Sequence, residues 1–199
     1  MFPHMKSMSL PVLSRSLAVV AVCTLLGAAA FAQAPATPTP GAAPVTPAEK
    51  PKPLASGDST YVKNALKSLT YQIQLADAGK ALLEIPQARL RDDTAKDLAA
   101  AREALTKIAT AHGEKAVTEV TGTDKVDLDR VTKSKPDKLA KEWAAALAKE
   151  SKHLDHETEM AGKTAQDAEL KTFITNYGPS IRNVFTSADA LDKQLKKAK

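Results

Sequence analysis

Four side chains in one short stretch of this chain could bind a divalent metal ion. Glu150 and His153 form a Glu-x-x-His unit, whose two ligands lie one helical turn apart, and His156 and Glu157 follow closely. Di-iron helical bundles use such units to hold metal in their interior. Two histidines at this spacing could also share one metal ion on a helix surface. The alternative is a solvated helix face that binds nothing.

Helical periodicity places these residues unequally around their helix. With about 100° per residue and the apolar side centred on Leu147, Glu150 borders the core, His153 lies to one side and His156 points away. A di-iron centre also needs a second Glu-x-x-His unit, and the sequence has no second copy. We therefore expect no buried di-iron centre, which leaves an exposed divalent-metal site or a solvated surface.

Apolar residues that recur every three or four positions predict four helices. The residues that mark their ends are Asp58 or Ser59, Pro86, Gly113, Pro136 and Asp167. The stretch from Glu114 to Lys135 has no clear stripe and is expected to be a long connection between helices 2 and 3. The fourth stripe keeps its phase across Pro179, which favours one Pro-kinked helix over two separate ones.

Each predicted helix has one apolar stripe and a charged opposite face, so the helices must bury their stripes against one another. The predicted core positions are Val62, Leu66, Leu69, Ile73, Ala76 and Leu83; Leu90, Thr94, Leu98, Ala101, Leu105 and Ile108; Leu139, Trp143, Leu147, Leu154, Thr158 and Ala161; and Leu170, Phe173, Ile174, Tyr177, Ile181, Val184, Ala188, Leu191 and Leu195. We predict an all-α four-helix bundle over residues 57–199. Trp143, Phe173, Tyr177 and Phe185 are expected to carry much of its core energy.

The N-terminal segment is typical of a secretory signal peptide. Lys6 and Arg15 precede an apolar run of about 14 residues, shorter than the roughly 20 that a membrane-spanning helix needs. The small-x-small pattern at residues 30–32 predicts cleavage after Ala32 and export to the periplasm or the exterior. An uncleaved leader would instead tether the domain to the inner membrane. Cys23 is the only cysteine and lies in this leader, so the mature chain is expected to lack thiol chemistry.

Residues 33–56 contain seven prolines among alanines and threonines and are predicted to be a disordered, extended linker. Removing residues 1–32 takes away two basic residues and no acid, so the formal net charge falls from +5 to +3. Such a mixed, mildly basic chain gives no sign of a nucleic-acid ligand. The basic tail, residues 193–199, could contact an envelope protein, anionic lipid or cell-wall polymer. Charge complementarity at a helix end is the alternative reading.

Short motifs are spread over residues 58–195. They are Tyr61-Val62 and Gln72-Ile73-Gln-Leu in the first helix, Asp97 with Leu105-Thr-Lys-Ile-Ala in the second, Leu139 to Trp143 in the third, and Glu169-Leu-Lys-Thr-Phe with Pro179 to Ala188 in the fourth. Together they resemble an exported bacterial family, domain-of-unknown-function family 4142, which is grouped with ferritin-like four-helix bundles. The resemblance implies a ferritin-like bundle in the cell envelope.

The family pattern has histidines and a glutamate at places where this chain has other residues. Leu98, a position near Ser151, and Val184 stand where the pattern has histidines, and Gln72 stands where a glutamate is common. Leu98 and Val184 also fall on the predicted apolar stripes. Because the sequence offers no phosphate-binding glycine loop, serine elbow or nucleophile–base pair, the main expectation is a non-enzymatic structural or interaction module with no cofactor. A ferritin-like metal-binding protein using Glu150, His153, His156 and Glu157 is the alternative.

Overall fold

The computed structural model describes residues 51–198. This part of the chain is all-helical, and the predicted signal peptide and most of the predicted linker lie outside the described residues. The helices are α1 (Ser56–Ala78), α2 (Ile85–Ala111), α3 (Gly122–Thr132), α4 (Pro136–Thr164) and α5 (Ala168–Lys197), and a 3-10 turn, Gly79–Ala81, follows α1. In residues 51–198, no helix combines the length and the apolar character that crossing a bilayer requires.

Several predicted helix ends are confirmed, and each has a local cause. The last turn of α2 closes with a Schellman motif, because Gly113 adopts φ +75° and Glu114 N–H donates to the carbonyl of Ala109 at 2.8 Å. At the start of α5, the Asp167 carboxylate accepts a hydrogen bond from Leu170 N–H at 2.9 Å. Helix α5 then runs unbroken through Pro179, as predicted. The kink at this proline stays a prediction.

The predicted start of the first helix, Asp58 or Ser59, is wrong by two or three residues. Helix α1 begins at Ser56, and its N-terminus has no side-chain cap. Asp58 is 5% exposed, and its carboxylate accepts hydrogen bonds from the backbone N–H groups of Gln166 and Asp167 at 3.0 and 2.8 Å. Asp58 therefore ties α1 to the turn between α4 and α5 instead of capping its own helix.

The connection between α2 and α4 contains a helix that the sequence did not predict, so the described chain has five helices and not four. Helix α3 buries only one of its residues, Val131, and this is why no apolar stripe marks it. Ion pairs help to hold it against its neighbours: Asp124 meets Lys67 of α1 at 3.1 Å, and Asp127 meets Lys149 of α4 at 3.4 Å.

The core lies between the four longer helices. Helix α1 packs against α2 and α4, and α5 packs against α4 and α2. The stripes predicted for α2 and α4 are buried throughout. One predicted core position is wrong: Leu83 is 85% exposed, because it follows the end of α1. Tyr177 and Phe185, which were expected to carry core energy, are only half-buried. Trp143 is fully buried, and its indole N–H donates to the carbonyl of Leu75 at 2.8 Å.

Candidate functional site

Three of the four predicted metal ligands line one open groove between α1 and α4. His153, His156 and Glu157 form part of its α4 wall, and the groove encloses about 360 Å³. Glu150 lines a smaller neighbouring cavity of about 160 Å³, which it shares with His153 and with Asp124 of α3. The structure thus brings His153, His156 and Glu157 to one surface, which we call the α1–α4 groove, and places Glu150 beside it.

The α4 wall is set by helical spacing. Leu154 and Thr158 are buried against the core, and this fixes the rotation of α4 so that His153 and His156 are exposed while Glu157 is half-buried. His153 Nε2 lies 3.4 Å from Glu157 Oε1, one turn further along. Residues four apart on a helix are neighbours, so this pairing follows directly from the sequence.

The α1 wall was not predicted from the sequence as part of this site. Tyr61 Oη lies 3.1 Å from Thr158 Oγ1, and Asn64 Nδ2 donates to Glu157 Oε1 at 3.2 Å. Met160, 46% exposed, adds a thioether to the same groove. The contacts of Tyr61 with Thr158 and of Asn64 with Glu157 join residues more than 90 positions apart, so no local pattern could have identified them.

Polar groups in the groove are largely engaged with one another. Glu157 Oε1 faces both His153 and Asn64, and the Tyr61 hydroxyl shares a hydrogen bond with Thr158. Glu157 Oε2 is buried and has no hydrogen-bond partner among the described residues. The groove therefore offers the imidazoles of His153 and His156 and the thioether of Met160 to a bound molecule.

Burial raises the pKa of the Tyr61 phenol to about 12, and the negative charge of Glu157 adds to this effect. The hydrogen bond with Thr158 acts in the opposite direction. The folded chain therefore holds the phenolic proton more tightly than the unfolded chain, whose reference pKa is 10.0. The contribution of this pKa shift to the free energy of unfolding is fully present below pH 10 and is lost as the pH rises from 10 towards 12.

We expect Tyr61→Phe to make the free energy of unfolding less sensitive to alkaline pH. Between pH 10 and 12 the wild type should lose up to about 3 kcal/mol more than this variant, because about two pKa units correspond to this free energy. Urea unfolding at pH 8, 10 and 11.5 measures the difference. Burial also raises the pKa of Tyr71. The free energy of unfolding of the double variant Tyr61→Phe/Tyr71→Phe should therefore depend even less on alkaline pH. If Tyr61→Phe and the wild type lost the same free energy of unfolding between pH 10 and 11.5, the raised pKa of Tyr61 would be contradicted.

The groove has few side chains that could bind a metal ion. Within residues 51–198, no group of three or more histidine, cysteine, aspartate or glutamate side chains is arranged to hold a metal ion. His153 and Glu157 approach each other on one helix, whereas Glu150 faces the neighbouring cavity.

Four residues named with the expected resemblance, Gln72, Leu98, Ser151 and Val184, are all buried. Gln72 and Leu98 are inaccessible to solvent, Ser151 is 1% exposed and Val184 is 2% exposed. They lie on α1, α2, α4 and α5, one on each of the longer helices. The prediction that Leu98 and Val184 belong to the apolar stripes is confirmed.

No protein-family model, curated protein or solved structure matches this chain. The functional argument therefore depends on the geometry of the groove and on the surface chemistry of the helices.

Proposed function

We propose that the protein is an exported, non-enzymatic interaction module of the cell envelope that binds its partner through the α1–α4 groove. The main support for this proposal is that several polar side chains of the groove already bond with other groups of the protein. Tyr61, Asn64 and Glu157 are engaged in contacts between α1 and α4, and Asp58 is engaged with two backbone N–H groups. These contacts join the α1 and α4 walls of the groove, which supports a preformed binding surface, and the exposed His153 and His156 imidazoles can then contact the partner.

The proposal includes the architecture and the location. The four longer helices contact one another in the cyclic order α1, α2, α5, α4, which supports a four-helix bundle of the ferritin-like type with α3 in its long connection. The resemblance to family 4142 supports the same architecture. The N-terminal leader, predicted to be cleaved after Ala32, supports location in the periplasm or outside the cell.

Site-specific photocrosslinking in the exported protein tests the groove. A benzophenone side chain is placed at Met160, which lines the groove, and in a matched control at the exposed Ala100 of α2. We expect one dominant crosslinked species from position 160, absent from position 100. This species should disappear when Thr60→Trp fills the groove from the α1 side. Identical patterns from both positions would contradict binding in the groove.

A metal-binding protein is the second candidate function, and the contact between His153 and Glu157 beside His156 favours it. Glu150, His153, His156 and Glu157 would be its ligands. Calorimetric titration of the metal-free protein with iron, zinc and copper decides between the two functions. The interaction-module proposal predicts no stoichiometric binding. Stoichiometric binding that is lost in His153→Ala/His156→Ala, but kept in His112→Ala, would support the metal-binding function instead.

A further inference from the structure

The turn between α1 and α2 exposes two large apolar side chains. Leu83 is 85% exposed and Ile85 is 81% exposed, while Leu82 between the helices is buried. The backbone is extended at Leu82 and Glu84. Leu83 and Ile85 lie on either side of Glu84 in this short turn, and we call these two exposed side chains the apolar tip of this end of the helices.

Three segments of the chain meet at this end. The contact of the Trp143 indole with the Leu75 carbonyl, at 2.8 Å, places the beginning of α4 beside the end of α1. Lys141 Nζ lies 3.2 Å from the carbonyl oxygen of Ala198, so the end of α5 lies beside the beginning of α4. The same end of the molecule therefore carries the α1–α2 turn, the α3–α4 turn and the last turn of α5.

Exposed lysines lie on all three segments at this end of the helices. The exposed ones are Lys80, Lys133, Lys135, Lys138, Lys141, Lys196 and Lys197. Lys80 pairs with Asp77 and Lys196 with Asp192, whereas Lys133, Lys135, Lys138 and Lys197 have no carboxylate partner among the described residues. The exposed acids nearest to these residues in sequence are Asp77, which pairs with Lys80, Glu84, which lies between Leu83 and Ile85, and Asp137. We call the surface formed by Leu83, Ile85 and these lysines the basic pole.

We propose that the basic pole docks on the surface of an anionic lipid bilayer. Leu83 and Ile85 enter the boundary between headgroups and acyl chains, and the lysines contact the lipid phosphates. Charge complementarity favours this partner. A second copy of the chain would bring two surfaces of like charge together, and an anionic wall polymer would make no use of the apolar tip. This surface is separate from the α1–α4 groove, so either proposal can fail alone.

Vesicle binding of the chain from Gln33 onward tests the proposal, because this form lacks the apolar leader. Vesicles of phosphatidylglycerol and phosphatidylcholine (roughly 3:7) are compared with pure phosphatidylcholine. The variant Lys133→Gln/Lys135→Gln/Lys138→Gln should bind the anionic vesicles about 100-fold more weakly, since each lysine near such a surface contributes about a factor of five. Leu83→Ser/Ile85→Ser should weaken binding to the anionic vesicles about tenfold or more. The binding that remains should be more sensitive to salt, because it depends on the lysines alone.

A matched control separates local docking from overall charge. Lys115→Gln/Lys152→Gln/Lys171→Gln removes three exposed lysines elsewhere on the helical domain and changes the net charge equally. It should reduce binding far less than the substitutions in the basic pole. Circular dichroism checks that every variant is folded. Equal losses in both triple variants, no preference for the anionic vesicles, or binding to soluble poly(glycerol phosphate) but not to vesicles would each overturn the proposal.

Discussion

Trp143→Ala is expected to lower the free energy of unfolding by about 4 kcal/mol, the largest loss that we expect from a single substitution. Trp143 is fully buried where α4 meets the end of α1, and its indole N–H donates to the Leu75 carbonyl at 2.8 Å. Truncation leaves a large cavity and removes this hydrogen bond. Since domains of this size are stable by roughly 5–15 kcal/mol, the variant should be close to unfolding. Urea unfolding followed by circular dichroism at 222 nm measures the loss.

Gly79 provides an internal control for this prediction. A Cβ atom at Gly79 would lie 2.8 Å from Trp143 Nε1, so Gly79→Ala should cost about 1–3 kcal/mol through overpacking. In the Trp143→Ala background the indole is absent, and the same substitution should cost little. A double-mutant cycle measures this coupling. Additive effects, or a loss below about 1 kcal/mol for Trp143→Ala alone, would contradict the packing described here.

The sequence predicted those helices whose burial is one-sided and periodic. Leu147 and Leu154 on α4 and Ile181 on α5 are buried as the stripes required, because the helical repeat alone determines which residues face inward. Helix α3 was not predicted because it lacks such a periodic apolar stripe. It buries only Val131 and is held partly by ion pairs with distant residues such as Lys67 and Lys149. A pattern of apolar residues cannot report such contacts.

Only half of the candidate site could be predicted. Periodicity placed His153 and His156 outside the core, since both belong to one helix whose rotation the buried leucines fix. The α1 wall depends on which helix packs against that face, and this is a property of the tertiary fold. Tyr61 and Asn64 were therefore not predicted as residues of this site, although Tyr61 shares a hydrogen bond with Thr158 and Asn64 donates one to Glu157.

Asp58 shows how a correct residue type can suggest the wrong role. An aspartate just before an apolar stripe is a typical N-terminal cap, and the sequence predicted Asp58 or Ser59 in this role. In the fold, α1 begins earlier at Ser56, and the carboxylate instead meets backbone N–H groups 108 and 109 positions away. The turn between α4 and α5 has backbone donors that need partners, and Asp58 of α1 supplies the acceptor.

We expect Asp58→Ala to lower the free energy of unfolding by about 3 kcal/mol. The carboxylate is 5% exposed and accepts from Gln166 N–H at 3.0 Å and from Asp167 N–H at 2.8 Å. Hydrogen bonds to a charged group contribute about 1.5–3 kcal/mol each, and removing the acceptor leaves two amides without it. Asp58→Asn keeps one acceptor oxygen but turns an N–H₂ group towards a donor, so its loss should be smaller. Urea unfolding of both variants measures the two losses.

Hydrogen exchange distinguishes this local role from general destabilisation. The amides of Gln166 and Asp167 should exchange faster in Asp58→Ala by more than the change in global stability accounts for, because their acceptor is gone. Asp77→Ala is the matched control. It removes an exposed carboxylate of α1 that pairs with Lys80 at 2.9 Å, and exposed pairs of this kind contribute at most about 1 kcal/mol. If Asp77→Ala were as costly as Asp58→Ala, or if the two amides kept their protection, Asp58 would not anchor the α4–α5 turn.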